Sequence, residues 1–167
     1  MLGYMASFEQ FHPTDLLAYS QLAESNGFGG VSASDHFHPW TPQQGQSAFV
    51  WAWLGALGAT TNLTFGTGVT PPGYRYHPAI LAQAAATLEA MYPGRFTLGL
   101  GAGEALNEHI VGGYWPEAAV RSQVLFEAID SWASTGSWDL LDGYTDRTLG
   151  RVWRAQNFSY WMTQMLH

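Results

Sequence analysis

The sequence contains neither cysteine nor lysine, and its six basic side chains are all arginine. Thirteen acidic side chains outnumber them, so the formal net charge is -7 at pH 7. Without cysteine the chain has no disulfide, no thiolate nucleophile and no thiolate metal ligand, which fits a reducing compartment. With so few cations we expect no basic patch for nucleic acid or for an anionic membrane surface.

Long apolar runs are also missing. No uninterrupted apolar stretch is long enough to cross a bilayer, and the first residues lack the basic flank and apolar run of a leader. We therefore expect a cytoplasmic protein without membrane contact. Charged residues make up only 11% of the chain and apolar residues 47%, a balance typical of a globular protein. A length of 167 residues is suited to one domain.

Strand and helix signals alternate four times along the chain. Each short apolar run is followed by a segment with helical periodicity, and one unit takes about 33 residues, which predicts parallel strands with right-handed crossovers. A full (βα)8 barrel takes roughly 250 residues. We therefore predict an α/β fold of TIM-barrel type with about four βα units, a half-barrel. The predicted strands are residues 2–6, 29–33, 63–69 and 96–100, and the predicted helices begin near Pro13, Ser47, Pro78 and Pro116.

The pattern changes near residue 130. Residues 131–167 hold four of the eight tryptophans and contain no run resembling the earlier strands. We predict two regions, a half-barrel over residues 1–130 and an atypical tail over residues 131–167, which is helical or mobile. Between the fourth strand and the fourth helix, residues 101–115 are predicted to form a long loop.

Polar and aromatic side chains cluster directly after the second predicted strand, in residues 34–40. His36 is a candidate general base because an imidazole titrates near neutral pH. Asp35 could orient His36 or contact a ligand, and Trp40 could form the wall of a planar site. The structural alternative is a capped strand end with a buried aromatic side chain. Asp35, His36 and His38 could also bind a metal, but no further ligands lie nearby in the sequence, so no metal site is predicted.

A glycine-rich segment, residues 99–108, follows the fourth predicted strand. It lacks the Lys-Ser/Thr pair of a P-loop and the glycine order of a dinucleotide fingerprint. It offers free backbone N–H groups and one carboxylate, Glu104, which partial burial could adapt to an acid/base role. Alternatively, Glu104 caps the helical turn that follows.

Small residues also end the third predicted strand, within residues 66–78. They would let a flat ligand approach the backbone closely. Arg75 lies in the loop that follows, where it could pair with a phosphate or a carboxylate. We expect Arg75 to brace this loop.

Three segments match one family in order and spacing: residues 34–40, 66–79 and 92–108. Over residues 2 to about 130 the chain resembles the bacterial luciferase-like superfamily, and within it the coenzyme F420-dependent branch of alcohol and sugar-phosphate dehydrogenases. The resemblance implies a TIM-barrel oxidoreductase with an 8-hydroxy-5-deazaflavin at the carboxyl face of the strands.

The resemblance also implies catalytic roles for three residues. His36 matches the active-site histidine of the family, Trp40 its tryptophan and Glu104 its acid/base glutamate. The implied reaction is hydride transfer from an alcohol carbon to C5 of the deazaflavin. His36 would take the hydroxyl proton, Glu104 would protonate N1 of the reduced ring, and Trp40 would help to hold the polarised intermediate.

Five further residues match positions around the cofactor. Asp35, Ala102 and Gly103 correspond to residues that line the deazaflavin, and the bond between Gly68 and Val69 corresponds to a non-proline cis peptide behind the ring.

The chain also departs from the family pattern. It has no lysine and does not reach the family's later strands, which supply basic residues for a sugar phosphate, so a glucose-6-phosphate substrate is doubtful. Four strands leave open sheet edges, and we expect a homo-oligomer or completion by another chain. Two alternatives stay open. One is a non-catalytic half-barrel fragment, and the other is a luciferase-like monooxygenase that uses FMN and O2.

Overall fold

The computed structural model describes residues 2–135, and residues 2–125 lie in one compact unit. Strands and helices alternate along this part of the chain, as the sequence predicts. The strands are β1 (Gly3–Ala6), β2 (Gly30–Ala33), β3 (Thr64–Thr67) and β4 (Phe96–Thr97). The helices are α1 (Pro13–Ser25), α2 (Val50–Thr60), α3 (Pro78–Met91), α4 (Ala105–Glu108), a short 3-10 turn (His109–Val111) and α5 (Ala118–Thr135).

The four strands form one sheet in the order β1-β2-β3-β4, and every neighbouring pair is parallel. This arrangement confirms the predicted parallel strands. Because all four strands run the same way, their carboxyl ends meet at one edge of the sheet, and the segments that follow them lie close together.

One face of the sheet packs against the helices. The strand register brings Tyr4, Val31, Phe65 and Phe96 into one row, and this row belongs to the hydrophobic core or packs against it. Helix α2 supplies the largest share of that core, as expected from a helix that is apolar on nearly every side. Its buried residues are Val50, Trp51, Trp53, Leu54, Leu57 and Gly58.

The opposite face of the sheet carries small side chains. Ser32, Gly66 and Thr97 lie in register on β2, β3 and β4. Together with neighbouring residues they line a shallow groove of about 390 Å³. Gly66 is required here, because a Cβ at this position would lie 2.2 Å from the carbonyl oxygen of Thr97.

Two helices begin in the same way. Pro13 and Pro78 stand at the start of α1 and α3, where a missing backbone N–H costs nothing. The preceding histidines cap these helices: Nδ1 of His12 accepts from the backbone N–H of Thr14 at 3.4 Å, and Nδ1 of His77 accepts from that of Ala79 at 3.2 Å.

Several boundaries differ from the sequence prediction. Strand β4 ends at Thr97 rather than at residue 100, and α5 begins at Ala118 rather than near Pro116. Helix α2 begins at Val50 rather than near Ser47, because the Ser47 hydroxyl instead donates to the carbonyl of His36 at 2.6 Å. Strand β3 ends at Thr67, directly before the Gly68–Val69 peptide bond, which is cis as the family resemblance implies.

Another difference concerns the segment after β4. The predicted long loop over residues 101–115 was wrong in part, because it contains α4 and the 3-10 turn. The predicted tail lies outside the described residues from residue 136 onward, so its separation from residues 1–130 stays a prediction. Within the described residues, no helix is long and apolar enough to cross a membrane.

We predict that Gly66→Ala will lower the free energy of unfolding by roughly 1–3 kcal/mol, since the new methyl group overpacks the β3–β4 pair. Urea unfolding measures the effect. Gly55→Ala is the matched control, because a Cβ at Gly55, inside α2, meets nothing within 4 Å. That control should be stabilising by about 0.5–1 kcal/mol. Equal unfolding midpoints for Gly66→Ala and the unmodified protein would contradict the close approach.

Candidate active site

Asp35 lies at the centre of a buried polar cluster that follows β2. Its side chain accepts three hydrogen bonds: Oδ2 accepts from the Thr70 hydroxyl at 2.6 Å, and Oδ1 accepts from Tyr76 Oη at 2.9 Å and from Arg75 Nη1 at 3.2 Å. The carbonyl oxygen of Asp35 accepts from Arg75 Nη2 at 2.7 Å. Asp35 is 3% exposed, so these bonds replace the water that a carboxylate needs.

Arg75 connects Asp35 to a second buried carboxylate, Glu108 at the end of α4. Arg75 Nε donates to Glu108 Oε1 at 3.0 Å, and the Arg75 backbone N–H donates to Oε2 at 3.2 Å. The side chains of Arg75, Asp35 and Glu108 are 7%, 2% and 1% exposed. Arg75 thus braces its loop, as the sequence predicts, and it also joins the segments that follow β2, β3 and β4. We call Asp35, Arg75 and Glu108 the carboxylate–arginine brace.

The charges of the brace follow from this burial. Burial lowers the pKa of Arg75, but the charges of Asp35 and Glu108 outweigh burial, and the net pKa is raised. Arg75 is therefore a permanent cation. Burial raises the pKa of Tyr76, and the charge of Asp35 raises it further, so the phenol stays a donor. Burial also raises the pKa of Glu108, although Arg75 opposes this.

His36 is held by a carboxylate that no sequence pattern indicated. Nδ1 of His36 lies 2.5 Å from Oε1 of Glu9, in the segment after β1. Oε2 of Glu9 accepts from the Ser7 hydroxyl at 2.8 Å. Burial raises the pKa of Glu9, but hydrogen bonds from His36, from the Glu9 backbone, from Ser34 and from Ser7 outweigh burial and lower the pKa to about 2. Glu9 is therefore ionised near neutral pH and places the proton of a neutral His36 on Nδ1.

Nε2 of His36 faces Glu104. The distance from Nε2 to Oε1 of Glu104 is 3.5 Å, with the two side chains 22% and 31% exposed. The same Glu104 oxygen accepts from Nδ2 of Asn107 at 2.5 Å. The Trp40 ring meets the His36 ring edge-on, with 5.0 Å between centroids and an interplanar angle of 88°. An imidazole nitrogen, a carboxyl group and an indole thus lie together.

These side chains surround a cavity of about 280 Å³ at the carboxyl edge of the sheet. Seven of the eight predicted site residues line it, and Gly68 does not. Gly68 instead lies against Ser32, whose hydroxyl a Cβ at Gly68 would meet at 2.2 Å. The lining residues are Asp35, His36, Trp40, Val69, Pro71, Ala102, Gly103, Glu104, Asn107 and Glu108.

Several residues at this edge were not predicted, among them Asn107, Glu108 and Glu9. Asn107 and Glu108 stand inside the glycine-rich segment, and Asn107 follows Glu104 by three residues, the spacing of one helical turn, which was the available signal. Glu9 is an isolated carboxylate in a turn and gave no signal. The sequence left open a metal at Asp35, His36 and His38. Among the described residues, no three His, Asp or Glu side chains are grouped so that they could hold a metal ion.

Comparison with known proteins places this geometry in context. Residues 1–135 match the family described as luciferase-like monooxygenase. The F420-dependent glucose-6-phosphate dehydrogenase of Microbacterium testaceum (strain StLB037) is 53% identical over 128 residues, which cover 76% of this chain and 38% of the relative. The corresponding dehydrogenase of Nocardia farcinica (strain IFM 10152) is 44% identical over 154 residues, 89% of this chain and 46% of the relative.

A solved structure shows the same fold. An F420-dependent secondary alcohol dehydrogenase in complex with an F420-acetone adduct is 48% identical, with a TM-score of 0.75 over 78% of this chain and 40% of that chain. The described residues are thus part of a TIM-barrel-type fold, as predicted. The chain spans less than half the length of these relatives.

The Glu9–His36 pair predicts a specific dependence of stability on pH. The folded pKa of Glu9 lies below the ordinary glutamate value of 4.5, so its stabilisation is complete above about pH 4.5 and is lost as the pH falls toward 2. We expect Glu9→Gln to lower the free energy of unfolding at pH 6 by roughly 1–3 kcal/mol. The difference from the unmodified protein should shrink in urea titrations between pH 5 and pH 3. A difference that stays constant over this range would contradict an ionised Glu9.

Removing the positive charge of Arg75 should lower the free energy of unfolding by more than Glu9→Gln does. Arg75→Met leaves two buried carboxylates without a partner, and we expect a loss of roughly 3–5 kcal/mol in the free energy of unfolding. Arg75→Lys keeps the charge but loses the planar fork, so its loss should be smaller. Thermal and urea unfolding of both variants show which substitution causes the larger loss of stability. If both variants cost less than about 1 kcal/mol, the pairing contributes no more than an exposed ion pair.

Proposed function

This chain belongs to the luciferase-like monooxygenase family, and on that premise we propose that it is a coenzyme F420-dependent oxidoreductase. In this proposal it transfers a hydride between an alcohol or sugar-phosphate substrate and the deazaflavin. One observation carries the proposal: Nε2 of His36 and the carboxyl group of Glu104 are 3.5 Å apart on the wall of one cavity. Hydride transfer from an alcohol needs a proton acceptor and an acid side by side.

The cavity suits a flat ring. Val69, Pro71 and Trp40 give it apolar walls. A Cβ at Gly101 would lie 2.3 Å from Val69, and one at Gly103 would lie 3.0 Å from Pro71. The glycines thus let the segment after β4 pack directly against the segment after β3. Val69, Ala102 and Gly103 are the residues that would hold the deazaflavin, which supplies the hydride acceptor when it is bound.

His36 takes the substrate hydroxyl proton in the proposed mechanism. The ionised Glu9 holds the neutral imidazole with its proton on Nδ1, so the lone pair of Nε2 faces the cavity. As the imidazole gains a proton, the negative charge of Glu9 at 2.5 Å stabilises the imidazolium. Glu9 thereby favours the proton acceptance that hydride departure requires.

Glu104 and Trp40 complete the proposed machinery. Glu104 lines the cavity and is the residue that would deliver a proton to a deazaflavin bound there. Trp40 is 54% exposed, and its ring stands beside His36 at the open side of the cavity. With a ligand in place, the indole would keep water from the imidazole and from the reacting carbon.

The charges near the cavity favour an uncharged alcohol. Arg75 is the basic residue of the cluster, and both Asp35 and Glu108 bind it. The cavity is also lined by three acidic residues, Asp35, Glu104 and Glu108. A substrate phosphate would therefore need a cation other than Arg75.

Assembly is part of the proposal. Strands β1 and β4 each pair with one strand among the described residues, so each leaves one edge for pairing. A second copy or another chain adding strands there would enclose the cavity. Light scattering after gel filtration should then give a mass above that of one chain.

Fluorescence titration with oxidised F420 tests cofactor binding, and we expect saturable quenching at micromolar cofactor. His36→Ala should leave binding within about threefold and lower alcohol-dependent F420 reduction by at least roughly a hundredfold, as loss of a general base does. Absorbance of oxidised F420 follows the reduction. His12→Asn is the matched control, because it removes an imidazole from the cap of α1 and leaves a residue that also caps.

Two outcomes contradict the proposal. If micromolar F420 does not bind and no product forms with reduced FMN and O2, the chain is a non-catalytic half-barrel. If product forms only with reduced FMN and O2, the chain is a monooxygenase. Equal losses in His36→Ala and His12→Asn would remove His36 from the proposed role.

A further inference from the structure

Asn107 makes three side-chain hydrogen bonds at one point of the site. It is 1% exposed. Its Oδ1 accepts from the backbone N–H groups of Phe37 at 2.6 Å and His38 at 2.7 Å, and its Nδ2 donates to Oε1 of Glu104 at 2.5 Å. The three partners belong to the segments after β2 and β4. We call this set of bonds the amide clasp.

The orientation of the Asn107 amide has a chemical basis. The backbone N–H groups of Phe37 and His38 can only donate, so the amide group that meets them must be the oxygen. The NH2 group must then point to Glu104, whose Oε1 accepts. The reverse orientation would place donors against donors on one side of the amide and two acceptors together on the other. The clasp therefore has one arrangement.

The two carboxyl oxygens of Glu104 have different surroundings. Oε1 accepts from Asn107 and also lies 3.5 Å from Nε2 of His36. Among residues 2–126, whose side chains the structure describes, no group forms a hydrogen bond or an ion pair with Oε2 of Glu104. Oε2 is thus the oxygen that can carry a proton without breaking the bond to Asn107.

We propose that Asn107 is a positioning residue that holds Glu104 with Oε2 as its proton-carrying oxygen and fixes the His36 segment against Glu104. This inference rests on the function proposed above. Asn107 acts through two other groups: its NH2 sets the rotation of the Glu104 carboxyl group, and its oxygen holds the backbone directly after His36. One side chain therefore sets the distance between the proton acceptor and the acid.

Two substitutions separate the two halves of the clasp. Asn107→Asp keeps an oxygen for the Phe37 and His38 N–H groups but places a second carboxylate oxygen against Oε1 of Glu104. The two oxygens then repel each other or share a proton, and either result changes the acid. Asn107→Leu has a similar volume and removes both halves.

Steady-state kinetics with F420 test the first half. Asn107→Asp should lower kcat at least tenfold with KM for the alcohol changed less than threefold, while its melting temperature stays near that of the unmodified protein. In a Glu104→Gln background, the same substitution should lower kcat less than twofold further, because its effect passes through Glu104. A kcat within twofold of the unmodified protein for Asn107→Asp, or full additivity with Glu104→Gln, would overturn the inference.

Amide hydrogen exchange tests the second half without turnover. The Phe37 and His38 amides should exchange slowly in the unmodified protein and in Asn107→Asp, and at least tenfold faster in Asn107→Leu. Unchanged exchange in Asn107→Leu, or equally fast exchange in Asn107→Asp, overturns the clasp. If the unmodified chain does not reduce F420, the proposed function fails, while the exchange rates still decide whether the clasp exists. If Asn107→Leu does not fold, the Asn107→Asp rates decide it.

Discussion

The pairing of one guanidinium with two buried carboxylates organises this edge of the sheet. Arg75 binds Asp35 after β2 and Glu108 at the end of α4, and Thr70, after β3, donates to Asp35. None of these charges could stay buried alone, because removing a charge from water is costly without a partner. Each segment therefore has to meet the others. The close approach of three loops follows from the electrostatics of the brace.

The candidate site is built on this brace in two layers. Beneath the cavity, Asp35 and Glu108 have their oxygens bonded within the protein. Above them, Nδ1 of His36 is paired with Glu9, and Oε1 of Glu104 accepts from Asn107. Both partners are buried. The remaining atoms, Nε2 of His36 and Oε2 of Glu104, are the ones that proton transfer needs. In each of these two side chains, one polar atom is held by the protein and the other is available to a ligand. This distinguishes the site from a structural ion-pair cluster, in which every charged atom is paired.

The sequence predicted the parts of this arrangement that depend on local pattern. Strand and helix alternation predicted parallel strands, and parallel strands bring the residues after them to one edge, so the convergence of His36, Trp40 and Glu104 followed. The bracing role of Arg75 was also predicted. The prediction of a continuous loop over residues 101–115 was wrong in part, since a single turn of helix depends on backbone bonds that no periodicity shows.

The partners of the site could not be predicted for a related reason. Glu9 matters because its turn places it beside Nδ1 of His36, 27 residues away along the chain. Asn107 matters because its amide reaches two backbone groups about 70 residues earlier. Neither relation leaves a trace in residue spacing. The role of a residue that contacts a distant loop can be recognised only from the three-dimensional structure, whereas the position of a residue at a strand end can be predicted from the sequence.

The central claim is that the segments after β2, β3 and β4 form one ligand site at the carboxyl edge of the sheet. Mapping of amide and indole NMR shifts during titration with oxidised F420 tests it most directly. We predict saturable shifts at His36, Trp40, Val69 and Gly103, and none at Ser32 or Thr97 on the open face of the sheet. Shifts concentrated on that open face, with the residues around His36 unmoved, would contradict the account.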